Sequence, residues 1–106
     1  MQKDQYSQND KTSQIYKNLE IDVEFKAPKF GFVIVRLFAK VPRRDVIASV
    51  LVNGETVASA SAADNFVENV ISSQTQSMTV PAPGGASVIV KRDAGDATIE
   101  ARWISI

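Results

Sequence analysis

Cysteine and histidine are both missing from this chain of 106 residues. Without cysteine there can be no disulfide, no thiolate nucleophile and no cysteine-ligated zinc site. Without histidine the chain lacks the side chain whose unperturbed pKa lies nearest to neutral pH, so a general base would have to be a carboxylate or a lysine. Composition therefore excludes the commonest catalytic and metal-binding arrangements.

Net charge and long apolar runs are missing as well. Twelve basic side chains balance twelve acidic ones, so there is no basic footprint to release counterions from nucleic acid, and no nucleic-acid partner is expected. No stretch approaches the roughly 20 apolar residues that span a bilayer, so membrane insertion is not expected either. Residues 1–13 are polar and do not resemble a signal peptide, which predicts synthesis in the cytoplasm without a secretion signal.

The chain does have the apolar content of one globular domain. Apolar residues make up 44% of it, within the range that is typical of folded proteins, but few of them lie in residues 1–13. That segment cannot bury enough apolar surface to offset its ordering entropy, so we expect a flexible arm there. Residues 14–106 are predicted to form a single domain.

The first half of this domain carries two strand signals. Apolar and polar residues alternate through residues 19–25, which predicts one strand with a buried and a solvated face. Residues 30–41 are apolar on both faces apart from Arg36 and Lys40. That pattern predicts a strand covered on both sides, either inside a sandwich or at a subunit interface.

The clearest local signal is a β-hairpin. Residues 46–52 and 55–61 are joined by Asn53-Gly54. Asparagine and glycine tolerate the positive φ angles of a type I′ turn, whose twist matches that of the strands on either side.

Three further strands are predicted at residues 77–81, 86–92 and 98–106, between turns rich in proline and glycine. Residues 64–73 fit a helix as well as an irregular strand or a loop, and their structure stays open. About seven or eight short strands without a long helix predict an all-β fold, which we expect to be an antiparallel β-sandwich or a jelly-roll-like barrel.

No candidate catalytic group has an activating partner. No serine lies in a Gly-x-Ser-x-Gly elbow. The carboxylate pairs Asp64/Glu68 and Asp93/Asp96 fall in predicted loops, where acidic residues commonly serve turns and solubility. Residues 93–96 also lack the ligand number and spacing of an EF-hand. We therefore expect no catalytic residue, no metal and no cofactor, and a protein that is not an enzyme.

A second apolar face distinguishes two of the predicted strands. In the last strand Ile104 and Ile106 point away from Trp103, and Phe32 and Ile34 belong to the strand that is apolar on both faces. A small monomeric sandwich normally keeps one face of each sheet solvated. We therefore predict that these four residues, Phe32, Ile34, Ile104 and Ile106, lie at a subunit interface.

The C-terminal part of the chain resembles the receptor-binding tip domains of tailed-phage fibres. The segments that carry the resemblance are SMTVPAPGGASVIV at residues 77–90 and ATIEARWISI at residues 97–106. Such tips show a TVP-x-P-x-G stretch, a short strand, a glycine-containing turn and a closing strand with a tryptophan near the terminus. With the upstream VLVNGE hairpin, the likeness covers about residues 46–106.

The resemblance implies a homotrimer of β-sandwich heads in a virion. The heads would join other virion proteins through the N-terminal side, and their loops would bind a glycan or protein on the host surface. We place the ligand-binding candidates in those loops, at Asn65, Asn69, Arg92 and Asp93. The chain departs from the pattern because it has its own Met1 and no fibre shaft. A capsid decoration protein, a small bacterial lectin or adhesin, and an intracellular inhibitor protein are the alternative hypotheses.

Overall fold

The computed structural model describes residues 15–39, 45–63, 65–67, 70–72 and 74–106. These residues form no helix and ten β-strands, which are β1 (Tyr16–Leu19), β2 (Phe25–Lys26), β3 (Gly31–Ala39), β4 (Asp45–Val52), β5 (Glu55–Ala63), β6 (Asn65–Val67), β7 (Val70–Ser72), β8 (Gln74–Ala82), β9 (Ser87–Gly95) and β10 (Thr98–Ser105). The predicted arm, residues 1–13, lies outside the described residues.

Eight of these strands form a sandwich of two four-stranded sheets. The first sheet has the order β1-β10-β3-β8 and the second the order β2-β9-β4-β5, with all neighbours antiparallel. β6 and β7 pair with each other in a separate two-stranded ribbon. The predicted all-β sandwich of seven or eight short strands is therefore confirmed.

The strand pairs follow the order of a jelly roll. The first sandwich strand pairs with the last, β1 with β10, and the pairs β2 with β9, β3 with β8 and β4 with β5 are nested inside it. Nested pairs of this kind describe one long antiparallel ribbon. Rolling the ribbon up brings β10 against β3 and β9 against β4, which completes the two sheets. The β6–β7 ribbon is an insertion between β5 and β8.

Alternate residues of the central strands fill the space between the sheets. In β3 the inward side chains Val33, Val35 and Leu37 are completely buried, and β4 and β9 supply valine and alanine to the same core. Burying one large apolar side chain stabilises the fold by about 1.5–3 kcal/mol. The period-two pattern of the sequence thus becomes the inner face of each sheet.

Trp103 is the largest side chain of this core and is only 1% exposed. Its ring packs at 5.6 Å, between centroids, from the ring of Phe25 on the second sheet. It also lies against the backbone of Gly31, its diagonal neighbour on β3, where a Cβ would come within 2.6 Å of the indole Nε1. Only a residue without a side chain fits between β3 and the indole.

The predicted single strand at residues 19–25 is wrong. β1 ends at Leu19, and the chain turns at Asp22, which has a φ of 66°, before β2 begins in the other sheet. The Asp22 N–H donates to the Val90 carbonyl over 2.7 Å, and its Oδ1 accepts the Arg92 N–H over 3.1 Å. The alternation of apolar residues does not mark one strand here, because Leu19 and Phe25 both pack on the core but do so from opposite sheets.

The predicted hairpin is confirmed. β4 and β5 pair on either side of Asn53 and Gly54, whose φ angles are 53° and 85°. The Asn53 N–H donates to the Ser87 carbonyl over 2.8 Å, and Asn53 Oδ1 accepts the Ser87 N–H over 3.0 Å. The turn is therefore bonded to the start of β9. The segment that was open between helix, strand and loop forms strands β6 and β7 over its described residues.

The sandwich has two different ends. We call the first the terminal end, and it carries residues 15 and 106 together with the turns at residues 27–30, 53–54 and 83–86. There the Ser105 N–H donates to the Ile15 carbonyl over 2.8 Å, and Ser105 Oγ accepts the Ile15 N–H over 3.0 Å. We call the opposite end the loop end, where β5 passes into the β6–β7 ribbon and β9 turns into β10.

The turn geometry predicts the effect of replacing Gly54. A Cβ at Gly54 would meet nothing within 4 Å, so a substitution costs only the strain of positive φ. We expect Gly54→Val to lower the free energy of unfolding by about 1–3 kcal/mol, measured by urea denaturation. Gly54→Asn is the matched control, because asparagine adopts this conformation readily, and it should change stability much less. Equal stability of Gly54→Val and the wild type would contradict the turn.

Gly31 should respond to a different constraint, since a Cβ there would meet both the backbone carbonyl oxygen of Ile104 and the indole of Trp103. We expect Gly31→Ala to destabilise the protein by about 1–3 kcal/mol through overpacking. The double variant Gly31→Ala/Trp103→Phe should be less destabilised than the two single variants added together, because phenylalanine removes the indole nitrogen edge. Thermal unfolding followed by circular dichroism measures all four proteins. Strict additivity would show that Gly31 and Trp103 do not compete for the same space.

Candidate functional site

The four predicted ligand-binding residues belong to segments at the loop end. Asn65 begins β6, two residues beyond Ala63, which pairs with Asp45 at the start of β4. Arg92 and Asp93 lie near the end of β9, whose Gly95 pairs with Val46 of the same strand β4. Asn69 lies outside the described residues. The two described segments therefore lie near the ends of strands on opposite sides of β4, and a shared ligand site there stays a prediction.

Arg92 has a role inside the fold. Its Nη1 donates to the carbonyls of Gly95 and Ala97 over 3.1 and 2.8 Å, which ties the end of β9 to the start of β10. Its backbone N–H is bonded to Asp22. Asp93, by contrast, is exposed on the neighbouring position. A ligand-binding role for either residue stays a prediction. At Arg92, a ligand would compete with the hydrogen bonds that Nη1 makes to the turn.

The predicted interface residues lie on the outer face of the first sheet. Tyr16, Ile104, Phe32 and Pro81 are cross-strand neighbours that form one row over all four strands. Ile34 lies in the next row. The face is partly covered by its own members, since Phe32, Ile34 and Ile104 are half-buried in the single chain.

One member of this row and two residues beside it are more exposed. Tyr16 is 61%, Phe30 42% and Ile106 70% exposed, and the Phe30 ring meets the Phe32 ring edge-on at 5.4 Å between centroids. We call this set the outer apolar patch, and it consists of Tyr16, Phe30, Phe32, Ile34, Ile104 and Ile106. It occupies the half of the sheet nearest the terminal end.

The rest of the same face is polar, beginning with Asn18, Arg102 and Thr79, which are the other members of the row of Ile34. Beyond Ile34 the cross-strand rows contain Glu100, Arg36 and Ser77, and then Thr98, Phe38 and Thr75. The outer face of the second sheet is mixed, with Ser49 and Lys91 paired beside the apolar pair Leu51 and Ile89. Among the described faces, the outer apolar patch is thus the one that contains a complete row of aromatic and aliphatic side chains from edge to edge, the row of Tyr16, Ile104, Phe32 and Pro81.

A pocket opens on the polar half, at the edge of the first sheet. β1 ends at Leu19 while β10 continues for three further residues beyond the pairing partner of Leu19. The missing length of β1 leaves a pocket of about 440 Å³, within the range of about 300–1,000 Å³ that is common for ligand sites. We call it the edge pocket, and it is lined by Asn18, Leu19, Ile34, Arg36, Ile99, Glu100, Ala101 and Arg102.

Both arginines of the edge pocket stack on aromatic rings. Arg102 Cζ lies 5.0 Å from the ring centroid of Tyr16, and Arg36 Cζ lies 5.3 Å from that of Phe38. Cation–π contacts of this kind hold a guanidinium by about 0.5–1 kcal/mol at exposed sites. Tyr16 lies one row toward the terminal end from Arg102, and Phe38 lies one row toward the loop end from Arg36, so the two stacking contacts direct the guanidinium groups away from each other.

The carboxylates of the described residues do not form a metal site. In that part of the chain no group of three or more acidic, histidine or cysteine side chains could hold a metal ion. Of the carboxylate pairs, Asp93 and Asp96 are exposed at the turn between β9 and β10, whereas Asp64 and Glu68 lie outside the described residues. Over the described ranges, no helix has the length and apolar character to cross a bilayer.

Comparison with known proteins adds no functional assignment. The chain matches no protein-family model and no curated protein at a significant level of similarity. The resemblance to phage-fibre tips therefore stays a prediction, and geometry has to support any proposal about function.

Sequence reasoning missed the edge pocket. Arg36, Glu100 and Arg102 were visible as polar interruptions of apolar strands, but Arg36 lies more than sixty positions from the other two in the chain. Only the pairing of β3 with β10 brings Arg36 opposite Glu100. A charged residue on the otherwise apolar face of β3 was the one available signal.

The contacts of Arg92 predict an effect on stability. We expect Arg92→Met, which keeps the aliphatic stem but removes both carbonyl bonds, to lower the free energy of unfolding by about 1 kcal/mol. Asp93→Asn, one position further along β9, is the control and should stay within about 0.5 kcal/mol of the wild type. Urea denaturation compares the three proteins. Equal stability of Arg92→Met and Asp93→Asn would contradict a structural role for the Arg92 side chain.

Proposed function

We propose that this chain is a non-enzymatic head protein of a virion, which assembles as a homotrimer and presents its loop end to a ligand on a host surface. The observation that carries the proposal is the outer apolar patch. It places one complete cross-strand row of aromatic and aliphatic side chains, with Phe30, Ile34 and Ile106 beside it, on a sheet face that no other element of the described chain covers.

The physical argument is one of exposed apolar area. Tyr16, Phe30 and Ile106 leave between 42% and 70% of their surface in water in the single chain. Contiguous apolar patches on soluble proteins commonly mark interaction sites, and burial gains about 25 cal/mol for each Å² removed from water. Packing copies of the chain on this face would cover the patch and extend a core that is small in one copy.

The two ends of the sandwich suit such a head. The patch and the first described residue, Ile15, both belong to the terminal end. The β6–β7 ribbon and the turn from β9 to β10 lie at the other end. Assembly and attachment through the N-terminal side would then leave the loop end free, and three loop ends in one assembly would raise weak single contacts to useful avidity.

The fold is compatible with this role. Jelly rolls occur in viral capsid and lectin domains, among others, but a fold alone does not define a function. The non-enzymatic part of the proposal follows from composition, since the chain offers neither cysteine nor histidine as a nucleophile or base. The host ligand would be a glycan or a protein.

Assembly is tested by sedimentation. We expect the wild type to be a trimer and Ile104→Asp to be a monomer, because an unpaired carboxylate buried in an apolar interface costs several kcal/mol. Ile47→Asp is the matched control. Ile47 is 44% exposed on the second sheet, so the same substitution there should leave the trimer intact. Circular dichroism checks that both variants fold.

A monomeric wild type, or an Ile104→Asp protein that stays assembled, would overturn the trimer. Dissociation by both substitutions would show that an added charge disrupts the assembly from either sheet, and that the outer apolar patch is not specifically the interface. Adhesion is tested by binding labelled protein to a panel of bacterial cells. Trimeric wild type should bind at least tenfold more tightly than the Ile104→Asp monomer if the head acts through avidity.

A further inference from the structure

We infer that the edge pocket binds a sugar acid, that is, a sugar ring carrying one carboxylate and neighbouring hydroxyl groups. The inference rests on the proposed function, because it names the class of surface ligand, but it places the ligand in the edge pocket rather than at Asn65, Asn69, Arg92 and Asp93. The pocket lies in the half of the first sheet nearest the loop end, beside the outer apolar patch.

The arginines supply recognition of a carboxylate. Arg102 pairs across the strands with Ile34, and Arg36 is two positions further along the same strand as Ile34. Diagonal neighbours of this kind have Cα atoms about 7–8 Å apart, so both side chains are long enough to reach one ligand once their guanidinium groups turn away from Tyr16 and Phe38. A guanidinium fork binds a carboxylate through two parallel hydrogen bonds, which offset the loss of the stacking contacts on Tyr16 and Phe38.

The charge balance favours a monoanion that also carries hydroxyl groups. Two guanidinium groups and the carboxylate of Glu100 leave the pocket lining with a net charge of +1. A single carboxylate neutralises that charge, whereas a phosphate monoester would bring a second negative charge close to Glu100. Glu100 accepts hydrogen bonds from hydroxyl groups, and the amide of Asn18 both donates and accepts them.

The remaining lining is apolar. Leu19, Ile34, Ile99 and Ala101 contribute aliphatic surface to the same pocket. A sugar ring has C–H groups on its faces and polar groups on its rim. It therefore matches a site that combines aliphatic walls with a few placed polar groups.

The site is complete within one chain. All its lining residues come from β1, β3 and β10 of the first sheet. Ile34 is shared with the outer apolar patch, so the pocket borders the proposed trimer interface without requiring a second copy. Binding of the sugar acid and assembly can therefore be tested separately.

The test is titration of the full chain with glucuronic acid and with N-acetylneuraminic acid, followed by NMR chemical shifts. Glucuronamide, in which a neutral amide replaces the carboxylate, and inorganic phosphate are the ligand controls. We expect at least one of the two acids to bind at millimolar concentration and at least tenfold more tightly than glucuronamide. The tighter of the two acids identifies which kind of sugar acid the pocket prefers.

Variants locate the binding. Arg36→Gln and Arg102→Gln should each weaken binding of that acid at least tenfold. Lys91→Gln is the matched control, because it removes one positive charge from an exposed position on the second sheet, and it should bind as the wild type does. The Ile104→Asp monomer should also bind with wild-type affinity, since the pocket needs only one chain.

Several outcomes would overturn the inference. They are no binding of either acid, equal binding of glucuronamide, equal or tighter binding of phosphate, or an equal loss in Lys91→Gln. Any of these results, obtained with a wild type that is trimeric and adheres to cells, removes the sugar-acid site and leaves the proposed function in place. A monomeric wild type that binds the acid through Arg36 and Arg102 supports the site and overturns the proposed assembly.

Discussion

The indole of Trp103 lies between the two sheets, with its nitrogen edge over the backbone of Gly31 and its ring against Phe25. This contact joins the last strand of the chain to β3 in its own sheet and to β2 in the opposite one. The indole Nε1 finds no hydrogen-bond partner among the described residues, which costs about 1–3 kcal/mol for a buried donor. The large apolar surface that the ring buries offsets this cost, so Trp103 contributes to stability by filling the core rather than by hydrogen bonding.

Holding β10 in this place determines what the outer face of the first sheet presents. Because side chains alternate along a strand, seating Trp103 inward turns Ile104 and Arg102 outward. The partner strand β3 does the same, since Val33 and Val35 inside leave Phe32 and Ile34 outside. The outer apolar patch and the edge pocket are therefore consequences of core packing, and neither can shift without moving the core.

The same pair of strands also separates two chemical surfaces. The outer row nearest the terminal end is aromatic and aliphatic, the next row pairs Ile34 with Arg102, and the row after it contains Arg36 and Glu100. The early end of β1 at Leu19 leaves the second surface open at the sheet edge. A short edge strand is thus what turns a charged strip into a pocket. The division suits a head that assembles through one half of a face and binds through the other.

Local chemistry in the sequence determined a large part of this fold. Asn53-Gly54 specified its hairpin because few residues adopt two successive positive φ angles. The alternation in residues 98–106 predicted Trp103 inside and Ile104 outside, since the period of a strand needs no partner to be read. These features depend only on neighbours in the chain, so the order of the amino acids is enough to specify them.

Tertiary structure decided what depends on distant partners. It broke the alternation of residues 19–25 at Asp22, because the chain crosses there to the other sheet and bonds to β9. It engaged Arg92 in a turn by setting the carbonyls of Gly95 and Ala97 within its reach. It also set the register that brings Arg36 beside Glu100 and Arg102. A strand pattern shows which face a residue occupies but not which residue of another strand lies opposite. For strands that no hairpin joins, such as β3 and β10, the register comes from packing the two sheets together.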